Sequence, residues 1–418
     1  MATFQELYQT LLAAQARSNL PEAIKYIRTQ QDFDPKQLDC LLNPQKHPLV
    51  WRTGECGCAP GEGACERACP FDAIHSGPVE GGRVAIDVTR CVGCSACIDA
   101  CAAKKLEASR DAVAAMEAVR RHEGPVYALV APAFMGQFSE AVTPGMLRSA
   151  FLQLGFDGMI EVALFADILT LKEALEFDKN ITREGDFQLT SCCCPLWIAM
   201  IRKIYSELQS HLPASVSPMI ACGRSVKALH PDALTIFVGP CIAKKAEARE
   251  KDLAGAVDYV LTFQEVRDIF AAAGVDPAKL EDRERDHSSR AGRIYARSGG
   301  VSEAVRSTVE RLNPHRRISM RTRHADGVPG CRALIDDLLA GKIDANFFEG
   351  MGCPGGCVGG PKRIIPREEG ERNVDAYGGE AASPTPIDNP YVIELLGRLG
   401  YPTVESLLTE NDIFSRRF

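Results

Sequence analysis

Cysteine constrains this chain more than any other residue. Seventeen are present among 418 residues, and most fall into ordered clusters. The densest runs Cys56-Gly-Cys58, Cys65-x-x-x-Cys69-Pro70, then Cys91-x-x-Cys94-x-x-Cys97-x-x-x-Cys101. Thiolates two or three residues apart bring several soft ligands around one small volume, the geometry an iron–sulfur cluster needs. Residues 51–107 are Gly- and Cys-rich and poor in long periodic segments. Such a segment is expected to be held by its metal more than by an apolar core.

The chain is long enough for two or three domains. Composition is that of an ordinary globular protein, 45% hydrophobic and 25% charged. A net charge of −7 and a pI near 5.7 argue against nucleic acid or an anionic membrane surface as partner. The first twenty residues, MATFQELYQTLLAAQARSNL, lack a basic start followed by an apolar core, so no secretory signal is read. No apolar run approaches a bilayer span. The expected compartment is therefore the reducing cytoplasm, where such cysteines bind metal more often than they pair.

The hydrophobic pattern divides the chain into an N-terminal helical segment (1–50), the cysteine block (51–107), a long α/β region (124–365) and a C-terminal wrapping segment with a helix (366–418). Residues 3–30 read as one or two amphipathic helices forming a cap on the rest of the chain. From 124, strands at Val126–Val130, Met159–Phe165, Phe187–Thr190, Leu234–Gly239, Val257–Leu261 and Ala345–Phe348 alternate with helices near 144–154, from Asp167, and over 195–209, 217–229 and 263–273. That alternation predicts parallel sheet flanked by helices. Residues 276–293 read as a solvated charged insertion, 361–390 as a wrapping loop and 391–415 as a final helical pattern.

Cys91, Cys94, Cys97 and Cys101 have the spacing of a [4Fe–4S] half-motif. In two-cluster ferredoxins, which the block resembles, the fourth cysteine of each run crosses to the other cluster. By that rule Cys69 joins Cys91, Cys94 and Cys97 on one cluster, and Cys56, Cys58, Cys65 and Cys101 hold the second. The first half departs from the usual spacing, with Cys-x-Cys and six residues before Cys65. Two all-thiolate zinc sites are the competing use of eight cysteines. The three-residue gaps and the Cys-Pro ending favour iron–sulfur. The block is an electron relay and does not say what the electrons are for.

Three more cysteine islands come after predicted strands, where α/β folds carry their binding loops: TSCCCPLW at 190–197, GPCIAKKAE at 239–247 and FFEGMGCPGGCVGGP at 347–361. Four ligands drawn from three loops suit one cubane between two lobes. The glycines around Cys353 and Cys357 are expected to let the backbone approach a bulky cofactor. In this order, behind a double ferredoxin-like block, the three segments resemble the signature motifs of [FeFe]-hydrogenases. The tripled cysteine and GPCIAKK look most like the branch called group B.

The resemblance implies a two-lobed catalytic domain that interconverts protons and electrons with dihydrogen at an H-cluster, a [4Fe–4S] cubane joined to a two-iron subsite carrying CO, cyanide and a dithiolate bridge. It implies that Cys194, Cys241, Cys353 and Cys357 hold the cubane, with Cys357 bridging to the two-iron subsite. Cys193 matches the cysteine that shuttles protons, a role a neutral thiol fills without stranding a buried charge. Lys244 matches a lysine donating to cyanide, Pro132 a pocket position near the other cyanide, and Met351 a pocket methionine. Aligning ADILTLKEALE (166–176) places Glu173 and Glu176 at the glutamates of the proton path. They share a helix face, although two helix glutamates read alone would be solvated. Ferredoxin is the implied electron partner, with Lys104 and Lys105 beside Cys101 as candidate contacts, and maturation proteins build the two-iron subsite.

Some positions depart from the family pattern. Pro213 stands where a serine links the two glutamates, leaving Ser215 or a water as the substitute. Gly239 replaces the methionine before Pro-Cys, and Gly352 stands where alanine is common. Cys192, Cys222 and Cys331 read as buried small hydrophobes, with a reserve thiol beside the cluster as the alternative for Cys192, and Cys40, outside every run, reads as structural. Trp197 and Met200 read as core. No Walker loop, dinucleotide fingerprint or zinc-protease motif is present. Two alternatives share the resemblance: a low-turnover hydrogen sensor with the same cofactor, and an iron–sulfur assembly relative lacking the two-iron subsite.

Overall fold

In the computed structural model, residues 2–30, 33–58, 62–79, 82–190, 193–283, 285–409 and 412–416 are described. The cysteine block has four short strands, β1 (Val50–Arg52), β2 (Ile74–Val79), β3 (Gly82–Ile86) and β4 (Leu106–Ala108), paired antiparallel as β1–β4 and β2–β3. Its buried centre is Val50, Cys65, Ile74, Cys97 and Leu106, with Cys69, Cys91 and Cys101 packed against it. A core made so largely of thiols buries little hydrocarbon, which is the signature of a segment stabilised by its metal.

The region after 124 is built on β5 (Val126–Val130), β6 (Gly158–Glu161), β7 (Gln188–Leu189), β8 (Leu234–Gly239), β9 (Tyr259–Thr262), β10 (Thr322–Asp326) and β11 (Phe347–Met351). All of their pairings are parallel, in two sheets ordered β6-β5-β8-β9 and β10-β11-β7. The fold is α/β, as the alternating pattern predicts. Every residue of β8 and of β11 is buried, because helices cover both faces of a parallel sheet and leave no polar side. Helix starts are set locally. Thr262 and Glu265 form a reciprocal capping box at the start of Phe263–Ala273, and Gly274 ends that helix at φ 68°.

The helix Ala163–Asn180 packs against the helices Pro218–Leu229, Arg290–Arg293 and Gly300–Leu312. It buries polar as well as apolar residues, namely Asp167, Thr170, Lys172 and Glu173. The N-terminal helices, Phe4–Ala16 and Leu20–Thr29, join the apolar core of the four-stranded sheet through Tyr8, Leu11 and Ile27. The Phe4 ring meets Trp51 edge-on, with centroids 4.7 Å apart.

Several sequence expectations require correction. The strand predicted at Met159–Phe165 ends at Glu161, and its last residues open the helix Ala163–Asn180. The helix predicted over 195–209 stops at Lys203 and resumes as a 3-10 turn, Ser206–His211. The charged stretch 276–293 is exposed only in its first part. Ser288, Ser289 and Arg293 are buried, because Asp167 draws the backbone of this segment inward. Residues 361–390 are not a plain loop, since Arg367–Gly379 is helical. The strand β10 and the helices Gly300–Leu312 and Gly327–Leu339 are additions to the predicted pattern. Among the described residues, no helix is long and apolar enough to cross a membrane.

Candidate active site

The three cysteine islands leave the C-terminal ends of three strands. β7 leads to Cys193 and Cys194, β8 to Cys241, and β11 to Cys353 and Cys357. Two sheets thus aim their loops at one place, the usual seat of a site in α/β folds. Cys194 also caps the helix Pro195–Lys203, whose first residue is proline. That residue has no N–H to satisfy and fixes the turn.

The four predicted cubane thiols converge. Burial pushes the Cys357 thiol up to about 12, with Cys194 and Cys241 adding to it. Cys241 is pushed up to about 11 by burial and by Cys194, against the opposing pull of Lys244. Cys353 lies well above the ordinary thiol range, first from burial and then from Cys241, Cys194 and Cys357. Thiols that resist joint ionisation are the donor set a multivalent cationic cluster relieves, since coordination removes the proton. The Gly352 amide donates to Cys194 Sγ at 3.3 Å, a hydrogen bond of the kind that tunes ligating thiolates. On chemistry and placement these residues fit an iron–sulfur group.

Cys193 sits beside them. Burial raises its thiol well above the ordinary range, followed by Cys194, Cys357 and Glu173. Lys244 is buried with its Nζ 2.6 Å from Glu247 Oε2. Burial works to lower its pKa, but Glu247, Cys241 and Cys193 outweigh that and the net shift is upward. The adjacent Lys245 turns the other way, to Asp111 at 2.9 Å and Glu265 at 3.2 Å. Of the pair, Lys244 is the one whose charge bears on Cys241 and Cys357. Pro132 opens the turn after β5. That turn is joined to β8 by the bond from Ala131 N to Val238 O at 2.9 Å, beside Gly239. Met351 is buried at the end of β11, and its carbonyl accepts from Cys331 Sγ at 3.4 Å.

Glu173 is fully buried and Glu176 half-buried on the helix Ala163–Asn180. Between Glu176 and the departure at Pro213 lies a residue that sequence reasoning missed. Lys172 Nζ donates to Glu176 Oε1 at 2.7 Å, to Ser215 Oγ at 2.6 Å and to Ala214 O at 3.2 Å. The signal was present as an i,i+4 Lys–Glu pair. Also missed was Tyr295, whose buried hydroxyl accepts from Thr170 Oγ1 at 3.1 Å. Its pKa is raised by burial, then by Glu173.

Two expectations about glycines change. A side chain at Gly239 would meet Phe237 Cε1 at 2.7 Å, and one at Gly352 would meet Leu196 Cβ at 2.4 Å. The space of the family's methionine and alanine is therefore filled by Phe237 and Leu196. Gly356, Gly359 and Gly360 press on Ser298 N, Pro354 O and Pro240 respectively. These three glycines let protein approach protein.

In the cysteine block, Cys69, Cys91, Cys94 and Cys97 line one small cavity with Val50, Phe71 and Ile74. Burial raises the Cys97 thiol to about 12, with added contributions from Cys94, Cys91 and Cys69. Cys65 is raised by burial and by Cys101. Cys56 is half-buried and Cys58 exposed on the loop after β1, outside the buried cluster that holds Cys65 and Cys101. Cys94 contributes to the rise at Cys353, and Cys69, Cys94 and Cys353 line one cleft of about 950 Å³. Among the described residues, no three His, Cys, Asp or Glu side chains close on a single metal ion. Cys40, Cys222 and Cys331 are buried, and Cys192 lies outside the described residues.

Residues 124–361 match the family described as iron only hydrogenase large subunit, C-terminal domain. The chain belongs to that family. Iron hydrogenase 1 of Clostridium pasteurianum is 29% identical over 266 residues, covering 54% of this chain and 46% of that protein. A probable cytosolic Fe-S cluster assembly factor of Drosophila erecta is 24% identical over 270 residues, covering 53% of this chain and 56% of its own. A solved [FeFe]-hydrogenase of Chlamydomonas reinhardtii superposes with a TM-score of 0.60 at 22% identity, over 73% of this chain and 97% of that one. At that identity the likeness is one of fold. The chain spans 46% to 64% of the length of the hydrogenases first matched. Membership of the iron-only hydrogenase family makes iron–sulfur cofactors the expected occupants of these cysteines.

Proposed function

We propose that this member of the iron-only hydrogenase family is a group B [FeFe]-hydrogenase of the cytoplasm, reversibly combining two protons and two electrons into dihydrogen. The observation that carries the reading is the gathering of Cys193, Lys244 and Glu173 against the four thiols of Cys194, Cys241, Cys353 and Cys357. A purely structural cluster has no need of a buried neutral thiol, a buried ammonium and a buried carboxylate at its edge.

In this reading Cys194, Cys241, Cys353 and Cys357 would hold the cubane of an H-cluster that also carries a two-iron subsite. That group, built by maturation proteins, supplies the metal centre at which protons and electrons combine. Cys193 holds its proton on Sγ at neutral pH, because burial disfavours the thiolate. Glu173 then passes protons between Cys193 and the outer leg, where Ser215, Lys172 and Glu176 form a hydrogen-bonded chain in place of the absent serine. Lys244 is charged and spends one donor on Glu247, leaving two for an anionic ligand. Pro132 and Met351 wall the pocket. Cys69 with Cys91, Cys94 and Cys97 would hold an inner [4Fe–4S] cluster, and Cys56, Cys58, Cys65 and Cys101 an outer one, groups that would carry electrons supplied by ferredoxin.

A second reading, an assembly-type protein without a two-iron subsite, is favoured by the likeness to the assembly factor. Infrared spectroscopy after maturation separates the two. CO and cyanide stretching bands together with viologen-driven hydrogen evolution support the hydrogenase. Their absence from protein with fully loaded [4Fe–4S] clusters would remove it.

A further inference from the structure

Distinct from the cleft shared with Cys353, a groove of about 820 Å³ has Cys91 in its lining. Its walls carry Lys46, Arg202, Lys203 and Arg249, a local excess of positive charge on a chain of net charge −7. Two carboxylates share the lining, and both are engaged. Glu247 is held by Lys244 at 2.6 Å, and Glu250 lies between Arg202 at 3.2 Å and Arg416 at 2.7 Å. Lys203 Nζ donates to the Thr89 carbonyl at 2.8 Å and Arg249 Nη1 to the His47 carbonyl at 3.1 Å. A carbonyl positions a cation without cancelling its charge; Arg249 also lies 3.9 Å from the Asp111 carboxylate, which offsets part of its charge. Lys46 is exposed at the rim, and so is Val88, at 58% of its full accessibility. A basic ring with a small apolar contact over a redox ligand is what steers and seats an acidic protein.

We infer that this groove is the docking site of a small acidic one-electron carrier protein. The inference rests on the reading of the block as a relay and adds where the electron comes in. Cys91 belongs to the set that includes Cys94, the thiol felt by Cys353. A carrier seated here gives one electron to the inner cluster, which has no need to receive it through the outer one. The carrier is oxidised and the cluster reduced, with no bond made or broken. The alternative contact, Lys104 and Lys105 by Cys101, is at the other end, where the Lys105 amide donates to Cys101 Sγ at 3.4 Å.

The test uses full-length protein loaded only with its [4Fe–4S] clusters, so that it does not depend on hydrogen turnover. Reduction by a reduced two-cluster ferredoxin is followed by stopped flow at low and high salt. The double variant Lys46→Glu/Lys203→Glu should slow the second-order rate by about tenfold or more at low salt, with the gap closing as salt rises. Lys46→Gln/Lys203→Gln should fall between. Reduction by dithionite should be the same in all, which certifies intact clusters. A larger effect from Lys104→Glu/Lys105→Glu, or no salt-dependent effect from the groove variants, would overturn the assignment. If the groove effect is seen but separately matured protein shows no CO and cyanide bands, the hydrogenase reading falls and the docking site stands.

Discussion

Ser215 Oγ and Glu176 Oε1 are joined through one ammonium, that of Lys172, at 2.6 Å and 2.7 Å. Lys172 is almost wholly buried and Glu176 largely so, and Glu176 Oε2 has no hydrogen-bond partner among the described residues. Removing one member of such a pair strands the other. Lys172→Met is expected to destabilise the protein by roughly 3 kcal/mol. Lys172→Met/Glu176→Leu should recover most of that loss in urea unfolding, and additive losses would refute the coupling. In hydrogen evolution, Lys172→Met and Glu176→Gln should each fall about a hundredfold, with little further loss when combined.

The proposed crossover ligation in the cysteine block makes a separate prediction. Cys69→Ser and Cys97→Ser should abolish the same electron paramagnetic resonance signal. Cys65→Ser and Cys101→Ser should abolish a different one. If Cys69→Ser grouped with Cys65→Ser, the pairing by adjacency would replace the pairing by crossover.

Filled glycine positions should respond unequally to added methyl groups. At Gly352 the new Cβ meets Leu196 Cβ, an atom fixed to its backbone. At Gly239 it meets the rim of the Phe237 ring, which can turn aside. Gly352→Ala should therefore cost more than Gly239→Ala, within the roughly 1–3 kcal/mol typical of overpacking. Thermal melting of cluster-loaded protein measures both, and the opposite order would contradict the packing.

Asp167 supplies a pH signature. Its carboxylate accepts from Ser289 N at 2.7 Å, Ser289 Oγ at 2.5 Å and Gly292 N at 2.8 Å, yet burial prevails and pushes its pKa up to about 6. The folded protein thus binds this proton more tightly than the unfolded chain, whose aspartates titrate near about 4. Stability from this group is complete below about pH 4 and is lost as pH rises through about 6. The difference in unfolding free energy between the wild type and Asp167→Asn should decline over that interval, by on the order of 2–3 kcal/mol, and level off above it. A difference that grew with pH would show that the hydrogen bonds outweigh burial.

The parts most legible in the sequence were those with short-range causes. Val126–Val130, Leu234–Gly239 and the helix over 263–273 were readable because apolar runs and a Thr–Glu cap are local signals. The three islands were readable because cysteine at those spacings has few uses. Helix Ala163–Asn180 was harder. Its buried polar residues blur the amphipathic pattern, and their partners, Ser215, Ser289 and Tyr295, are distant in sequence. The inward turn of 288–293 had the same cause, since its charges look solvated until Asp167 and Asp286 are placed beside them. Lys172 was overlooked because a helix lysine is ordinarily a surface residue.

Gly93, at φ 72°, stands between Cys91 and Cys94, and a Cβ there would lie 3.4 Å from both the amide nitrogen and the Cα of Ala243. Ala243 is two residues after Cys241. The loop between Cys91 and Cys94 thus meets the loop after Cys241 through the main chain, with Leu49 Cδ1 beside the same point at 3.2 Å. If both loops carry clusters, as proposed, the separation of those clusters is a property of the backbone that surface substitutions leave alone. A relay block transplanted from another protein would inherit that distance only if its own loop brought a glycine to this point.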